Sequence, residues 1–319
     1  MKKILVTGAT GQIGSELVPA LRSRYGFANV IACGHQRTPP PELEQAGPYL
    51  KLDIRDPAAL NQIVAEQRID TIYHLAALLS AVAEQKPQLA WEINMGGLLN
   101  VLEAARLHHC AVFHPSSIGA FGPTTPAELT PQVTIQRPNT MYGVTKVAGE
   151  LLCDYYFSRF QVDARGVRYP GLISYQTPPG GGTTDYAVEI FHAAVQDKPY
   201  RCFLKKGTRL DMMYMADAIE AAIAIMEAEP GSLSVRNAFN ITAMSVAPED
   251  IYHEIKKHRP GFTMTYEIDP IRQAIAESWP NRLDDSEARR QWGFSPRYDL
   301  AAMTKEMIAG LTGQDQEKN

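Results

Sequence analysis

Short apolar runs alternate with longer segments of helical period through the first half of the chain. Runs at 3–6, 30–33, 49–52, 71–75, 111–114 and 164–169 have strand length and are apolar at nearly every position instead of every second one. That is the pattern of strands covered on both faces. Between them, 14–25, 57–67, 90–108 and 142–160 have helix length. The alternation predicts βαβ units in a doubly wound α/β fold with a parallel sheet. After about Gly171 the regularity breaks into the loop Thr177-Pro178-Pro179-Gly180-Gly181-Gly182-Thr183-Thr184, followed by mixed helices and short strands. The expected organisation is a nucleotide domain at 1–173, a smaller C-terminal α/β substrate lobe with a lid at 174–312, and a solvated tail at 313–319. Ligands of open α/β sheets bind beyond the carboxyl ends of the strands, where such a lobe would supply the substrate half of the cleft.

Composition narrows the partners. The 319 residues are 45% hydrophobic and 21% charged, which describes an ordinary globular chain long enough for a large unit plus an appended lobe. A net charge of −4 without a Lys/Arg run leaves no electrostatic footprint for nucleic acid or an anionic membrane, so a small-molecule partner is expected. Cys33, Cys110, Cys153 and Cys202 lie far apart without C-x-x-C spacing, and no His/Cys cluster has metal-ligand spacing, so neither disulfides nor a metal is expected. Met1 leads straight into Ile4-Leu5-Val6, too short a run for a signal segment, and no stretch has membrane-spanning length. The cytoplasm is the expected compartment.

Gly8-Ala9-Thr10-Gly11-Gln12-Ile13-Gly14 follows the first predicted strand and opens a helix. Glycines there permit a tight turn and let backbone N–H groups meet a pyrophosphate at the positive end of the helix dipole, which makes the domain a Rossmann one. A ligand-free strand-to-helix turn is the alternative, and the N-terminal placement favours the cofactor. An acid about 20 residues on, at the end of the second strand, usually bonds the ribose of NAD. This chain has Cys33-Gly34-His35-Gln36-Arg37 instead, and Arg37 could lie either near a 2′-phosphate or in solvent, which leaves NADP open beside NAD. Asp53-Ile54 closes the third strand, as an adenine contact or with Asp53 as a helix N-cap before Pro57.

Tyr142 and Lys146 stand at i and i+4 of a predicted helix, so both project from one face. A Lys ammonium beside a phenol favours the phenolate and lowers the tyrosine pKa from about 10 toward the working range, giving a general base for an alcohol proton. Pro115-Ser116-Ser117 ends the fifth strand, where Ser117 can bond a substrate oxygen. Together these suit hydride transfer between an alcohol and a dinucleotide.

The glycine loop, His74-Leu75-Ala76-Ala77, Asn94, Ser116-Ser117, Tyr142-x-x-x-Lys146 and Arg168-Tyr169-Pro170-Gly171 resemble the extended short-chain dehydrogenase/epimerase superfamily over nearly the whole chain. That resemblance implies that Leu75, Ala76 and Ala77 line the cofactor beside Ser116, that Asn94 orders the helix near it, and that Tyr169, Gly171 and Ile173 flank the nicotinamide. Sugar-nucleotide members carry Asn and Tyr-Gly-Pro after the sixth strand and an Arg later. Here Pro170-Gly171-Leu172-Ile173-Ser174 and Leu210-Asp211-Met212-Met213-Tyr214-Met215 stand at those places, implying a smaller substrate.

Four further blocks resemble the short-chain L-threonine 3-dehydrogenases: Leu78-Leu79-Ser80-Ala81, the segment from Pro179 to Tyr186, Asp211-Met212-Met213-Tyr214 and Ser278-Trp279-Pro280. The resemblance implies substrate contacts from Ser80, Tyr142, Thr184 and Trp279, with Gly180 and its neighbours as a mobile lid. An amino-acid zwitterion also needs donors for its carboxylate and an acceptor such as Asp185 for its ammonium. Each residue has a plainer alternative: Trp279 as lobe core, Thr184 or Asp185 as a helix N-cap, Ser80 as a loop residue. The implied reaction is oxidation of L-threonine to 2-amino-3-ketobutyrate. A sugar-nucleotide epimerase or reductase and a non-catalytic dinucleotide sensor are the rival readings. The apolar stripes of 90–108 and 142–160 imply, by the same resemblance, a homodimer packed as a four-helix bundle.

Overall fold

The computed structural model describes residues 1–180 and 182–317, the last four of them by their backbone alone. Six parallel strands form the central sheet in the spatial order Tyr49–Lys51, Val30–Gly34, Ile4–Thr7, Thr71–His74, Ala111–Phe113 and Ala164–Arg165. In chain order this is 3-2-1-4-5-6, the Rossmann arrangement, and its direction reverses between the strands that end at Thr7 and His74. Near-continuous apolar runs suit this sheet because successive side chains enter opposite cores. Ile4, Val6, Val30 and Ala32 face one, and Leu5, Ile31 and Cys33 the other. Helices Gln12–Tyr25 and Met215–Glu227 pack together on the first face; Pro57–Glu66, Gly97–His108 and Met141–Phe160 cover the second. The chain's second half therefore contributes to both the nucleotide and the substrate side. All four cysteines are buried free thiols, and no helix among the described residues is long and apolar enough to cross a membrane.

Three expected elements are reshaped. The run at 164–169 is interrupted at Gly166, where a Cβ would come 2.1 Å from the His114 carbonyl oxygen. Ala164–Arg165 stays in the main sheet, while Val167–Tyr169 pairs with Ser116–Ser117 and Phe239–Asn240. The helix expected at 90–108 comprises Pro87–Trp91, one π-helical turn over Glu92–Gly96, and Gly97–His108. Residues 313–317 of the tail expected at 313–319 continue a helix, Leu300–Glu317. Met303, Met307 and Leu311, one turn apart and buried, seat that helix, and propagation carries it into polar sequence. Residues 318–319 of that expected tail, and Gly181 of the glycine-rich loop, lie outside the described residues.

On the substrate side, Gly171–Ile173 pairs in parallel with Leu210–Tyr214, whose other neighbour is the antiparallel Met244–Val246. Pro170 alone separates this sheet from Tyr169, which pairs with Ser117. A third core, including Ile173, Tyr186, Phe191, Met212, Trp279 and Met307, lies behind it.

Candidate active site

The cleft opens at the reversal point of the sheet. Gly8 has φ +70, and a Cβ on it would lie 2.7 Å from the Ala76 nitrogen; one on Gly14 would lie 2.5 Å from the Gly8 oxygen. Only glycines allow loop, helix and strand end to meet this closely. Helix Gln12–Tyr25 starts at Gly11 with no side-chain cap, so the amides of its first turn face the cleft where a pyrophosphate would sit. These features fit a dinucleotide. Gln12, Ile13, Leu75 and Ala77 line the cleft, while Gly8, Gly11, Gly14 and Ala76 shape the turn behind it.

Catalytic helix Met141–Phe160 begins with Thr140 Oγ1 accepting the Gly143 N–H at 3.1 Å. Gly143 lets it press on the turn Ile118–Ala120, since a Cβ there would reach 2.3 Å from the Gly119 oxygen. The Tyr142 ring lies over Gly119, beside Ser117 Oγ, which accepts the Gly119 N–H at 3.1 Å. Lys146 Nζ donates to the Pro115 carbonyl at 2.6 Å and stands 5.4 Å from the Tyr142 ring centre. Ser117, Tyr142 and Lys146 thus share one wall of the cleft.

The electrostatics differ from the expectation that Lys146 alone would lower the phenol. Burial pushes Tyr142 up to about 12, with a hydrogen bond from Ser117 working in the opposite direction. Burial also pulls Lys146 down to about 8, against the fields of Glu150 and Cys153. The dry site that would strengthen an ion pair penalises each charge taken singly. Beneath the lysine, the rings of His74 and His114 stack at 5.6 Å, and burial followed by the Lys146 charge lowers both, His74 to about 3. Two neutral, buried imidazoles therefore lie within the field of Lys146. His74 Nδ1 shares a 2.9 Å hydrogen bond with Thr7.

Glu150 went unnoticed in the sequence, although its place at i+4 from Lys146 on the same helix face was a usable signal. Its carboxylate accepts from Arg168 at 3.0 and 2.8 Å, from Gln136 at 2.9 Å and from the Ser116 hydroxyl, all in a buried cluster. Ser116, which also borders the cleft, is therefore held from behind. Arg168 is completed by the Gln132 carbonyl and Asn240 Oδ1.

Several expected contacts sit away from the cleft wall. Asn94 lies in the π turn, bonded to both backbone groups of Leu78 and to Thr145 Oγ1, and so ties the loop before Ser80 to the catalytic helix. Ile173 is buried in the third core, and the Tyr169 hydroxyl donates to the Ala218 carbonyl while other atoms of Tyr169 reach the cleft. Asp53 is not the helix cap: Asp56 accepts the Ala58 and Ala59 N–H groups before Pro57, and Asp53 binds Arg55 at 2.7 Å. The arginine holds the Asp53 carboxyl down at about 2. Ile54 is buried beneath Gly97.

The same cleft is lined by Ser80, Gly182, Thr183, Thr184, Asp185 and Trp279. A Cβ on Gly171 would meet Thr184 Cγ2 at 2.8 Å and Met212 Sδ at 2.3 Å, so the glycine admits Thr184 to the site. Asp185 precedes helix Tyr186–Val195, yet its carboxylate turns back to the Gly182 N–H at 2.7 Å instead of capping the helix. Trp279 belongs to the lobe core and also presents an edge to the cleft. Gly180 lies outside the cleft lining, with open space around its α-carbon.

A Rossmann sheet with a glycine loop and a hydroxyl, phenol and ammonium at its carboxyl ends defines a dinucleotide-dependent oxidoreductase. The family model for the NAD dependent epimerase/dehydratase family matches residues 4–242, and the chain belongs to that family. An uncharacterized epimerase/dehydratase of Staphylococcus aureus (strain USA300) is 54% identical over 100% of this chain and 99% of its own length. Among solved structures, the L-threonine dehydrogenase of Clostridium difficile superposes with a TM-score of 0.97 at 55% identity, covering 98% of each chain. The GalE-like L-threonine dehydrogenase of Cupriavidus necator in its holo form gives 0.94 at 52%, covering 97% of this chain and 99% of that one.

Proposed function

We propose that the protein is an NAD-dependent L-threonine 3-dehydrogenase that converts the β-hydroxyl of L-threonine to the ketone of 2-amino-3-ketobutyrate. The observation that carries this reading is a single cleft lined by Ser117, Tyr142 and Lys146 together with Ser80, Thr184, Asp185 and Trp279. The likeness to two L-threonine dehydrogenases over nearly the full chain supports the same substrate.

In this reading the glycine loop and first helical turn hold the pyrophosphate, and Leu75, Ala77, Tyr169 and Gly171 border the nicotinamide. Ser117 and Tyr142 grip the β-hydroxyl, and the Tyr142 phenolate takes its proton. Lys146, steadied by the Pro115 carbonyl, stabilises that phenolate and holds the nicotinamide ribose. NAD, when bound, supplies a cationic ring that accepts the hydrogen on the same carbon together with its electron pair. The substrate thereby loses one proton and one two-electron hydrogen, which balances formation of the C=O bond. Ser80 and Thr184 offer hydroxyls to the substrate carboxylate, and Asp185 a carboxylate to its ammonium. Trp279 and the 182–184 segment exclude water.

The same reading places the enzyme in the cytoplasm as a homodimer. Its subunit contact would run over exposed Leu99 and Leu107 on one helix and Val144, Leu151 and Tyr155 on the next. A nucleotide domain at 1–173 and a mainly substrate-binding lobe at 174–312, whose helix Met215–Glu227 packs back on the nucleotide sheet, complete it. The test is appearance of reduced nicotinamide absorbance with purified protein, NAD⁺ and L-threonine, beside D-threonine and UDP-glucose. Turnover with L-threonine alone is expected; turnover confined to the sugar nucleotide would overturn the substrate assignment.

A further inference from the structure

The adenosine end of the cleft departs from the arrangement that selects an unphosphorylated ribose. In NAD-selective domains an acid about 20 residues past the glycine loop bonds the ribose 2′-hydroxyl, and its charge disfavours a phosphate there. At that spacing from Gly14 this chain carries Gly34, the last residue of its strand. No side chain fits. A Cβ on Gly34 would lie 2.3 Å from Tyr49 Oη and 3.4 Å from Oγ1 and Cγ2 of Thr10 in the glycine loop. A phenol hydroxyl thus stands where the acid's side chain would begin. Burial raises that phenol above its usual value.

The neighbouring charges point the same way. Asp53, at the end of the next strand, is engaged by the Arg55 guanidinium at 2.7 Å and its backbone N–H at 3.0 Å, with His35 Nε2 at 3.6 Å. Glu92 lies 3.9 Å from Arg55 as well. Glu44 acts on Tyr49 only through its field. Arg37, three residues past Gly34 and exposed, has no ion pair or hydrogen bond among the described residues. An unpartnered guanidinium three residues past a strand end that lacks its acid suits a phosphate oxygen.

We propose that this corner accepts a 2′-phosphate, with Tyr49 bonding the ribose and Arg37, seconded by His35, pairing with the phosphate, so that the protein binds NADP as well as NAD. The inference rests on the dinucleotide site proposed above and concerns only its adenosine end.

Calorimetric titration of the full-length protein with NAD⁺, NADP⁺, 5′-AMP and adenosine 2′,5′-bisphosphate tests it without turnover. The expected NADP⁺ Kd is within about thirtyfold of that for NAD⁺, and the bisphosphate should bind at least as tightly as 5′-AMP. Arg37→Ala, in an exposed loop, should weaken NADP⁺ by about tenfold or more while leaving NAD⁺ within about twofold, the scale of one charge-assisted hydrogen bond. Tyr49→Phe should weaken both dinucleotides several-fold, as loss of one neutral hydrogen bond would. A larger penalty for NADP⁺, or an equal effect of Arg37→Ala on both, overturns the proposal while NAD⁺ binding keeps the nucleotide site. Binding of neither dinucleotide would remove both.

Discussion

Lys146→Met separates the chemical use of the buried ammonium from its effect on folding. Burial lowers Lys146 from 10.5 to about 8. At about 1.4 kcal/mol per pH unit, keeping it charged at neutral pH opposes folding by about 3 kcal/mol. Its hydrogen bond to Pro115 works the other way, and leaving that carbonyl without a donor costs about 1–2 kcal/mol. Methionine keeps the apolar stem, so packing changes little. The variant should therefore be more stable than the parent by about 1–2 kcal/mol at neutral pH while turnover falls by about a hundredfold or more. Urea unfolding across pH supplies a sharper readout. Between pH about 8 and 10.5 the unfolded parent still holds the Lys146 proton and the folded parent has released it, so parental stability rises with pH. Below that window both states are protonated and the whole penalty is present. The variant lacks the rise, so its advantage should shrink from pH 8 to 10.5. Identical pH slopes in the two proteins would refute the reasoning, as would a destabilised variant that keeps full turnover.

Tyr142→Phe should lower kcat by about a thousandfold with dinucleotide affinity intact by titration, and an active variant would deny Tyr142 its role as base. Glu150→Ala strands Arg168 in the core with only the Gln132 carbonyl and Asn240. Chemical denaturation should report a loss of about 3–5 kcal/mol, and a loss under about 1 would mean that the cluster contributes little. Gly171→Ala forces Met212 and Thr184 apart, so KM for L-threonine should rise by about tenfold with about 1–3 kcal/mol of stability lost. Unchanged KM would remove Thr184 from the substrate wall. Light scattering should give twice the chain mass, and Leu151→Glu, at a side chain 64% exposed, should halve it; a parent running as a monomer ends the dimer proposal.

Much of the architecture was legible because its signals are local. Apolar runs bounded by turns marked all six sheet strands, the glycine spacing marked the phosphate loop, and an i, i+4 pair placed Tyr142 and Lys146 on one face. What escaped depends on backbones and charges meeting across long separations. The run at 164–169 has uniform strand character, and only the His114 carbonyl pressing on Gly166 divides it between two sheets. Asp53 and Asp56 are both plausible caps before Pro57, and Arg55 decides between them by taking Asp53. Glu150 looks like any helix-surface acid until Arg168 folds over it.

The chain itself determined the chemical vocabulary of the site: a glycine turn able to receive phosphates, a serine at a strand end, and a phenol and an ammonium one helical turn apart. Spacing along a helix or strand settles such matters because backbone geometry repeats every few residues. Tertiary structure decided how those groups behave. Burial raises Tyr142 and lowers Lys146, Gly171 admits Thr184 to the cleft, and the Tyr49 hydroxyl takes the space beside Gly34. Desolvation and steric exclusion are properties of the packed interior, and no local pattern encodes which distant side chains will close around a group.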